Sequence, residues 1–161
     1  KVSDAKGQVF EEKKATEGKR VLKKSTAFIM SDILADNPAR SMEFGPNSPL
    51  MIKGHYVSVK TGTSDEKRDN WTDGYTDKYV VITWVGNNNN EPMDQALASG
   101  ITGAAPIWHR VMEDLLKNNP ETKPTPPHDV VQRNCSGKLE YFVKGTENTA
   151  DCIPLSTYSS R

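Results

Sequence analysis

The sequence has few cysteines and no long apolar run. Cys135 and Cys152 are its two cysteines, and they do not form the Cys-x-x-Cys pair typical of structural zinc sites. No apolar run approaches the roughly 18 residues that a membrane span needs. Apolar residues make up 35% of the chain, which is less than in most globular domains. These shortages argue against a zinc site and a membrane span, and they predict long loops or surfaces that await a partner.

An excess of charge of either sign is also absent. Lysine and arginine together number 21, as do aspartate and glutamate, so nothing in the charge balance favours nucleic acid or an anionic membrane as a partner. With 161 residues, the chain suits one domain with a moderate core, or one domain and a small appendage. It begins with Lys1 rather than methionine and shows no signal-peptide pattern, so we expect a piece of a longer chain whose front is absent.

The most informative stretch runs from Tyr56 to Ser64 and alternates between apolar and polar residues. This alternation predicts a half-buried β-strand with two different faces, one formed by Val57, Val59 and Thr61 and the other by Ser58, Lys60 and Gly62. A glycine close to a lysine leaves bare backbone beside an ammonium group. An extended acyl peptide could therefore lie along the strand and pair with its main chain.

Other patterns place helices and further strands around this central strand. We expect a hairpin over 1–12, a helix from Ser25 or Thr26 to about Asp36 that Asn37-Pro38 ends, a loop over 40–53, strands over 70–75 and 79–86, a helix over 103–116 and a Pro-rich linker over 120–127. Consecutive strands with short connections predict an antiparallel sheet with helices packed on its faces, which is an α+β fold.

Apolar residues also indicate how these elements pack. The first helix carries Ala27, Met30, Ile33 and Leu34 along one side, and the second carries Ile107, Trp108, Val111, Met112, Leu115 and Leu116. The stretch from Tyr79 to Val85 is too apolar for an exposed edge, so we expect it inside the sheet between two neighbours.

The C-terminal tail is predicted to form a small β module. Two or three short strands are expected, at Val130-Val131, at Leu139–Val143 and at Ile153–Leu155. Such a small unit could hardly hold a core unaided, which favours a covalent staple. Cys135 and Cys152 are therefore expected to be joined by a disulfide or to remain as two free thiols. A disulfide would imply an oxidising extracytoplasmic setting.

A spaced set of motifs resembles a known family. The set comprises Lys60-Thr61-Gly62-Thr63-Ser64, Asp69-Asn70-Trp71, Gly74-Tyr75, Trp84-Val85-Gly86-Asn87, Pro92-Met93 and Gly103-Ala104-Ala105-Pro106-Ile107-Trp108. It resembles the end of the transpeptidase domain of class A penicillin-binding proteins, which are bifunctional peptidoglycan synthases. The resemblance implies a penicillin-binding or serine β-lactamase-like fold truncated at its N-terminus, with that domain over 1–119, a linker over 120–129 and a C-terminal extension over 130–161.

The resemblance also implies roles for the central strand. Lys60 would sit beside a nucleophilic serine and assist proton traffic, and Thr61, Gly62, Thr63 and Ser64 would bind substrate. The Thr63 N–H would be one donor of the oxyanion hole, while its hydroxyl would hold the carboxylate of a D-alanyl donor or of penicillin. The expected ligands are stem peptides ending in D-Ala-D-Ala and β-lactams, with no cofactor, metal or nucleic acid.

The nucleophile is missing from this pattern. The family needs a Ser-x-x-Lys motif that opens a buried helix and a Ser-x-Asn motif, both before the Lys-Thr-Gly. The sequence contains no Ser-x-Asn, and its Ser-x-x-Lys matches at Ser3 and Ser64 lie in a predicted hairpin and a charged turn. We therefore expect the catalytic serine in an absent N-terminal half of the domain, with a glycosyltransferase domain and a membrane anchor on the extracytoplasmic face.

Two alternatives to the transpeptidase remain open. One is a relative that mainly hydrolyses, such as a D,D-carboxypeptidase or a β-lactamase, and the other is a non-catalytic module that binds cell-wall peptides. Three further patterns receive plain structural interpretations: His55, His109 and His128 are scattered, Trp71, Trp84 and Trp108 are expected in the core, and Asn70-Trp71-Thr72 and Asn134-Cys135-Ser136 are chance glycosylation patterns.

Overall fold

The computed structural model describes residues 1–14, 18–95, 98–119, 122–149 and Cys152. Its elements in chain order are β1 (Val2–Ser3), β2 (Val9–Glu11), α1 (Lys24–Ala35), α2 (Asn37–Phe44), β3 (Ser58–Thr63), a 3₁₀ turn (Asp65–Lys67), β4 (Asp69–Tyr75), β5 (Val80–Gly86), α3 (Ala104–Leu116), β6 (Val130–Cys135) and β7 (Lys138–Val143). The predicted mixed α+β class is confirmed. No helix in the described ranges is long and apolar enough to cross a membrane.

The central sheet is antiparallel, with strand order β3-β4-β5. Lys60 of β3 lies opposite Asp73 of β4, and Asp73 lies opposite Ile82 of β5. The prediction that β5 lies between two neighbours is wrong for the described chain, because β5 is an edge strand with Val80 72% and Ile82 61% exposed. The apolar composition indicated burial, but the described residues contain no strand that supplies it.

Helix α3 closes one face of this sheet. Trp108, Met112 and Leu116 are fully buried in a cluster that includes Val59 and Val81. A Cβ atom added at Gly74 would lie 2.3 Å from the Trp108 ring, so a glycine is needed in β4 for the helix to approach. The expected stripe is only half correct, because Ile107 and Val111 point away from the sheet and are exposed.

Helix α1 covers one end of the opposite face. The Ser58 hydroxyl donates to the Ser31 carbonyl at 2.8 Å, and side chains alternate along a strand, so α1 lies on the face opposite Val59. The stripe predicted for this helix is wrong. Its buried residues are Ser25 and Phe28, whereas Met30 and Ile33 are exposed.

A second helix replaces part of the predicted loop over 40–53. Asn37-Pro38 does end α1, but it also begins α2. Proline is tolerated in a first helical turn, and the Asp36 carboxylate caps the helix by accepting from the Ala39 N–H at 3.0 Å. The same residues that end one helix can begin another, so the predicted loop starts as a helix.

The C-terminal hairpin β6-β7 packs on α1. Tyr141 meets Phe28 edge to face at 5.1 Å between ring centroids. Lys138 of the hairpin also pairs with Asp36 at 2.6 Å, and Lys123, which precedes the hairpin, pairs with Asp32 of α1 at 2.5 Å. A disulfide joins Cys135 to Cys152. The strand predicted at Ile153–Leu155 and the linker residues 120–121 lie outside the described residues.

Candidate functional site

Strand β3 presents a free edge beside an exposed lysine. Within the described ranges no strand pairs with the side of β3 that faces away from β4. Lys60 is exposed, and its Nζ donates to the Thr61 carbonyl at 2.6 Å, so the ammonium group lies along this edge. A positive charge next to main-chain groups that no strand pairs with suits a ligand that is both extended and anionic.

Hydrogen bonds of neighbouring residues show which main-chain groups of β3 point outward. The Val59 carbonyl accepts from Arg40 and the Thr61 carbonyl accepts from Lys60, whereas the Ser64 N–H donates across the sheet to the Asp69 carbonyl at 3.0 Å. Main-chain groups of successive residues in a strand point to alternate sides. The Thr63 N–H therefore points to the same free edge as the main-chain groups of Val59 and Thr61.

Gly62 has space around it. An added Cβ would meet only the Trp71 Cβ, at 3.6 Å, which is an ordinary van der Waals contact. The φ angle of Gly62 is not in the left-handed region either. The fold of the described chain therefore gives no packing or backbone reason for a glycine at this position.

The Thr63 hydroxyl has one hydrogen bond to the described part of the chain. Its Oγ1 accepts from the Gly100 N–H at 2.9 Å, and the side chain is otherwise exposed. A hydroxyl has one hydrogen to donate in addition to its acceptor lone pairs. Among the described residues no group accepts the Thr63 hydrogen, so the hydroxyl can still donate to a further acceptor at the end of the strand.

Ser64 belongs to a small polar network. Its hydroxyl donates to Asp69 Oδ2 at 2.9 Å and accepts from the Asp69 N–H at 2.8 Å, while Trp84 Nε1 donates to Asp69 Oδ1 at 2.9 Å. The hydrogen bonds from Trp84 and Ser64 lower the pKa of Asp69. The network fixes the connection between β3 and β4.

Neither Ser-x-x-Lys match has the geometry of a nucleophile. Lys67 Nζ donates to the Gln95 carbonyl, and the residues after Ser64 form a 3₁₀ turn rather than a helix. Ser3 lies in the exposed strand β1 and also begins no helix. Neither serine therefore begins a helix that would hold the lysine three residues later next to it.

The tryptophans divide between the core and the open face. Trp108 is fully buried, but Trp71 and Trp84 are 41% and 40% exposed, with ring centroids 6.4 Å apart. The prediction that all three belong to the core is therefore wrong for two of them. Gly62 lies opposite Trp71 on β4, and Trp71 lies opposite Trp84 on β5. Residues that lie opposite one another in a sheet point to the same face, so both tryptophans share the face of Lys60 and Gly62.

One histidine and one glycosylation pattern have structural explanations. His109 Nδ1 lies 2.9 Å from the Pro49 carbonyl. In the part of the chain that the structure describes, no group of three or more His, Cys, Asp or Glu residues could hold a metal ion. Asn70 is fully buried in β4, so it cannot accept a glycan in this fold.

Arg40, Asp69 and Gly100 contribute to the site but were not recognised from the sequence as site residues. Asp69 belongs to the Asp69-Asn70-Trp71 motif, and its position five residues after Ser64 was the available signal. Arg40 and Gly100 reach β3 from 19 and 37 residues away in sequence, and no local pattern indicates contacts of that range.

Comparison with known proteins finds penicillin-binding proteins among the relatives of this chain. No family model matches the chain. It is 32% identical over 165 residues to penicillin-binding protein 1A of Clostridium botulinum, with 91% of this chain and 19% of the relative covered. It is 30% identical over 168 residues to penicillin-binding protein 1A of Aquifex aeolicus, with 97% of this chain and 22% of the relative covered. The chain thus spans about a fifth of the length of these relatives.

A solved structure is similar as well. The crystal structure of penicillin-binding protein 1A from Haemophilus influenzae matches with a TM-score of 0.57 at 30% sequence identity. The match covers 62% of this chain and 16% of that chain. The similarity therefore extends from sequence to fold over much of the segment.

Proposed function

Because this chain is homologous over most of its length to part of the class A penicillin-binding proteins, we propose that it supplies the substrate-binding strand of a serine D,D-transpeptidase. Such an enzyme crosslinks peptidoglycan: a serine attacks the D-Ala-D-Ala amide of a stem peptide, the terminal D-alanine leaves, and an amine of a second peptide takes the acyl group. β-Lactams acylate the same serine, and water releases them slowly.

The free edge of β3 is the observation that carries this proposal. A peptide that ends in D-Ala-D-Ala can lie antiparallel to β3 and pair with the outward main-chain groups of Thr61, while Gly62 leaves the approach open. The outward Thr63 N–H then donates to the carbonyl oxygen of the scissile bond. A donor fixed in this place stabilises the negative charge of the tetrahedral intermediate, by about 3 kcal/mol in comparable acyl-transfer sites.

Lys60 and Thr63 recognise charge in the proposed complex. The Lys60 ammonium lies along the same edge and stabilises the anionic ligand and the proton transfers of the serine. The Thr63 hydroxyl donates its hydrogen to the terminal carboxylate of the peptide or of penicillin. Hydrogen bonds to charged groups are roughly twice as strong as neutral ones, so a carboxylate gains most from this arrangement.

The remaining parts of the site lie outside this chain in our proposal. A preceding half-domain carries the nucleophilic serine and the Ser-x-Asn motif, a glycosyltransferase domain lies further upstream, and the whole protein acts at the extracytoplasmic face of the bacterial membrane. Within the chain we propose a transpeptidase portion over 1–119, a linker over 120–129 and an extension over 130–161. The β-lactamase-like architecture of the complete domain is part of the same proposal.

Labelling with a fluorescent penicillin tests the proposed function. A polypeptide that joins the upstream half-domain to this segment should be labelled at a serine outside the 161 residues, and the 161 residues alone should not be labelled. Mass spectrometry of the labelled peptide identifies the serine. Labelling of the isolated chain at Ser3 or Ser64 would contradict the proposal, as would a joined polypeptide that hydrolyses stem peptides but never transfers them to an amine.

A further inference from the structure

Gly100 lies where three elements of the site meet. Its N–H donates to Thr63 Oγ1 at 2.9 Å, and its carbonyl accepts from the Thr72 hydroxyl at 3.2 Å and from the Ala105 N–H at 2.9 Å. Both of its main-chain groups are therefore used, and Gly100 itself is buried. These contacts tie the end of β3 to β4 and to the start of α3.

No side chain fits at Gly100. An added Cβ would lie 2.9 Å from the Thr61 Cβ, 3.0 Å from the Gly62 carbonyl oxygen and 3.1 Å from the Trp71 carbonyl oxygen. Two of these three neighbours are main-chain atoms of β3 and β4, which cannot turn aside as a flexible side chain would. A glycine is thus required for the main chain to come close enough to donate to Thr63.

The Gly100 N–H determines the polarity of the Thr63 hydroxyl. A hydroxyl that accepts from a fixed N–H keeps its own hydrogen for a different partner. Accepting one hydrogen bond also polarises the O–H group and strengthens the bond that it donates. Thr63 is exposed at the end of β3, so the hydrogen is available to a ligand that reaches this end of the strand.

We propose that Gly100 is a positioning residue, which acts through Thr63 to select ligands that carry a free carboxylate. The inference rests on the proposed function and deepens it. The oriented Thr63 hydroxyl donates to a carboxylate oxygen, which accepts a charge-assisted bond, whereas a neutral ester in the same place accepts a weaker one. The preference for acid over ester thus depends on Gly100, although Gly100 does not touch the ligand.

The test compares acylation by penicillin with acylation by its methyl ester, in a polypeptide that contains the upstream half-domain. Thr63→Val and Gly100→Ala should each reduce the preference for the free acid by about tenfold, as expected when one hydrogen bond to a charged group is lost. The double variant should lose no more than either single variant, because both changes remove the same interaction. Thr63→Ser should keep the preference.

Gly74→Ala is the matched control. It also forces a Cβ into a filled space, 2.3 Å from the Trp108 ring, but on the part of the sheet that lies away from Thr63. It should lower the melting temperature while leaving the preference for the free acid unchanged. Thr72→Val is a second test without an added backbone clash, since it removes only the hydroxyl that donates to Gly100, and it should weaken the preference by a smaller factor.

The outcomes separate this inference from the proposed function. If the parent polypeptide is acylated and Gly100→Ala retains the full preference for the free acid, Gly100 does not position Thr63. The inference also fails if the effects of Gly100→Ala and Thr63→Val multiply in the double variant, or if Gly74→Ala changes the preference as much. A parent polypeptide that no penicillin acylates would overturn the proposed function and this inference together.

Discussion

The two faces of the β3-β4-β5 sheet differ in how completely they are covered. On one face α3 buries Trp108, Met112 and Leu116 fully against the strands. On the other face α1 covers one end only, and Lys60, Trp71, Trp84 and Ile82 are exposed. The closed face therefore supplies the stability of this segment, whereas the proposed chemistry uses Lys60 on the open face together with the free edge and the exposed end of β3.

The largest expected effect lies on the closed face. Met112→Ala should destabilise the 161-residue chain by about 2–5 kcal/mol, because it leaves a cavity in a fully buried cluster. Ile82→Ala on the open face is the matched change and should cost less than about 0.5 kcal/mol, because the side chain is exposed. Urea unfolding of both variants measures the difference. Equal losses of stability would mean that the faces do not differ in this way.

The second expected effect is on the rate of acylation, with little change in stability. Lys60→Ala in the polypeptide with the upstream half-domain should lower the rate of penicillin acylation by about 100-fold or more, if the ammonium group assists proton transfer. The melting temperature should stay nearly constant, because the side chain is exposed and its one described hydrogen bond is to its own neighbour. Acylation at the parent rate would remove Lys60 from the proposed mechanism.

The third change tests the space beside Gly62. Gly62→Ala should leave the free energy of unfolding within about 0.5 kcal/mol of the parent, because the new Cβ makes only an ordinary contact with Trp71. Acylation should fall by about tenfold, because the added methyl group lies where the ligand approaches. We would compare acylation rate and unfolding in the same preparation. A variant that acylates normally would show that the glycine is not needed by the ligand.

The smallest expected effect is the pH dependence that Asp69 confers. The indole N–H of Trp84 and the hydroxyl of Ser64 hold the pKa of Asp69 below its ordinary value of 3.8. A carboxyl group with a lowered pKa stabilises the fold above its unfolded pKa, and this stabilisation is lost as the pH falls through the lower folded pKa. Asp69→Asn should therefore lower the melting temperature near pH 6. The melting temperatures of parent and variant, plotted against pH, should converge below pH 4. Parallel curves at all pH values would rule out the carboxylate.

Much of the fold could be predicted from local patterns. The N-terminal hairpin, the three central strands, α3 and the first two strands of the tail follow from alternation, turn residues and helical periodicity, which act over a few residues. The helix α2 was missed because Asn37-Pro38 reads equally well as a stop and as a first turn. The exposed positions of Met30, Ile33 and Val111 were missed because periodicity identifies an apolar side but not whether a partner covers it.

The residues of the candidate site also divide into those that the local sequence indicates and those that it does not. The strand that carries Lys60 and Thr63 was indicated by its own sequence, since alternation gives the faces and the motif gives the resemblance. The contacts of Arg40 and Gly100 with this strand depend on how distant segments fold back. The position of β5 at an edge likewise depends on which other strands are present. The composition of a strand does not predict how many neighbours it has.

The proposed function places an acyl ligand along the free edge of β3 with its carbonyl oxygen at the Thr63 N–H. The most direct test is a crystal structure of the penicillin-acylated polypeptide that contains both the upstream half-domain and this segment. The carbonyl oxygen of the bound penicillin should lie about 3 Å from the Thr63 nitrogen, with the carboxylate at the Thr63 hydroxyl. An acyl group whose carbonyl oxygen and carboxylate contact neither group of Thr63 would contradict it.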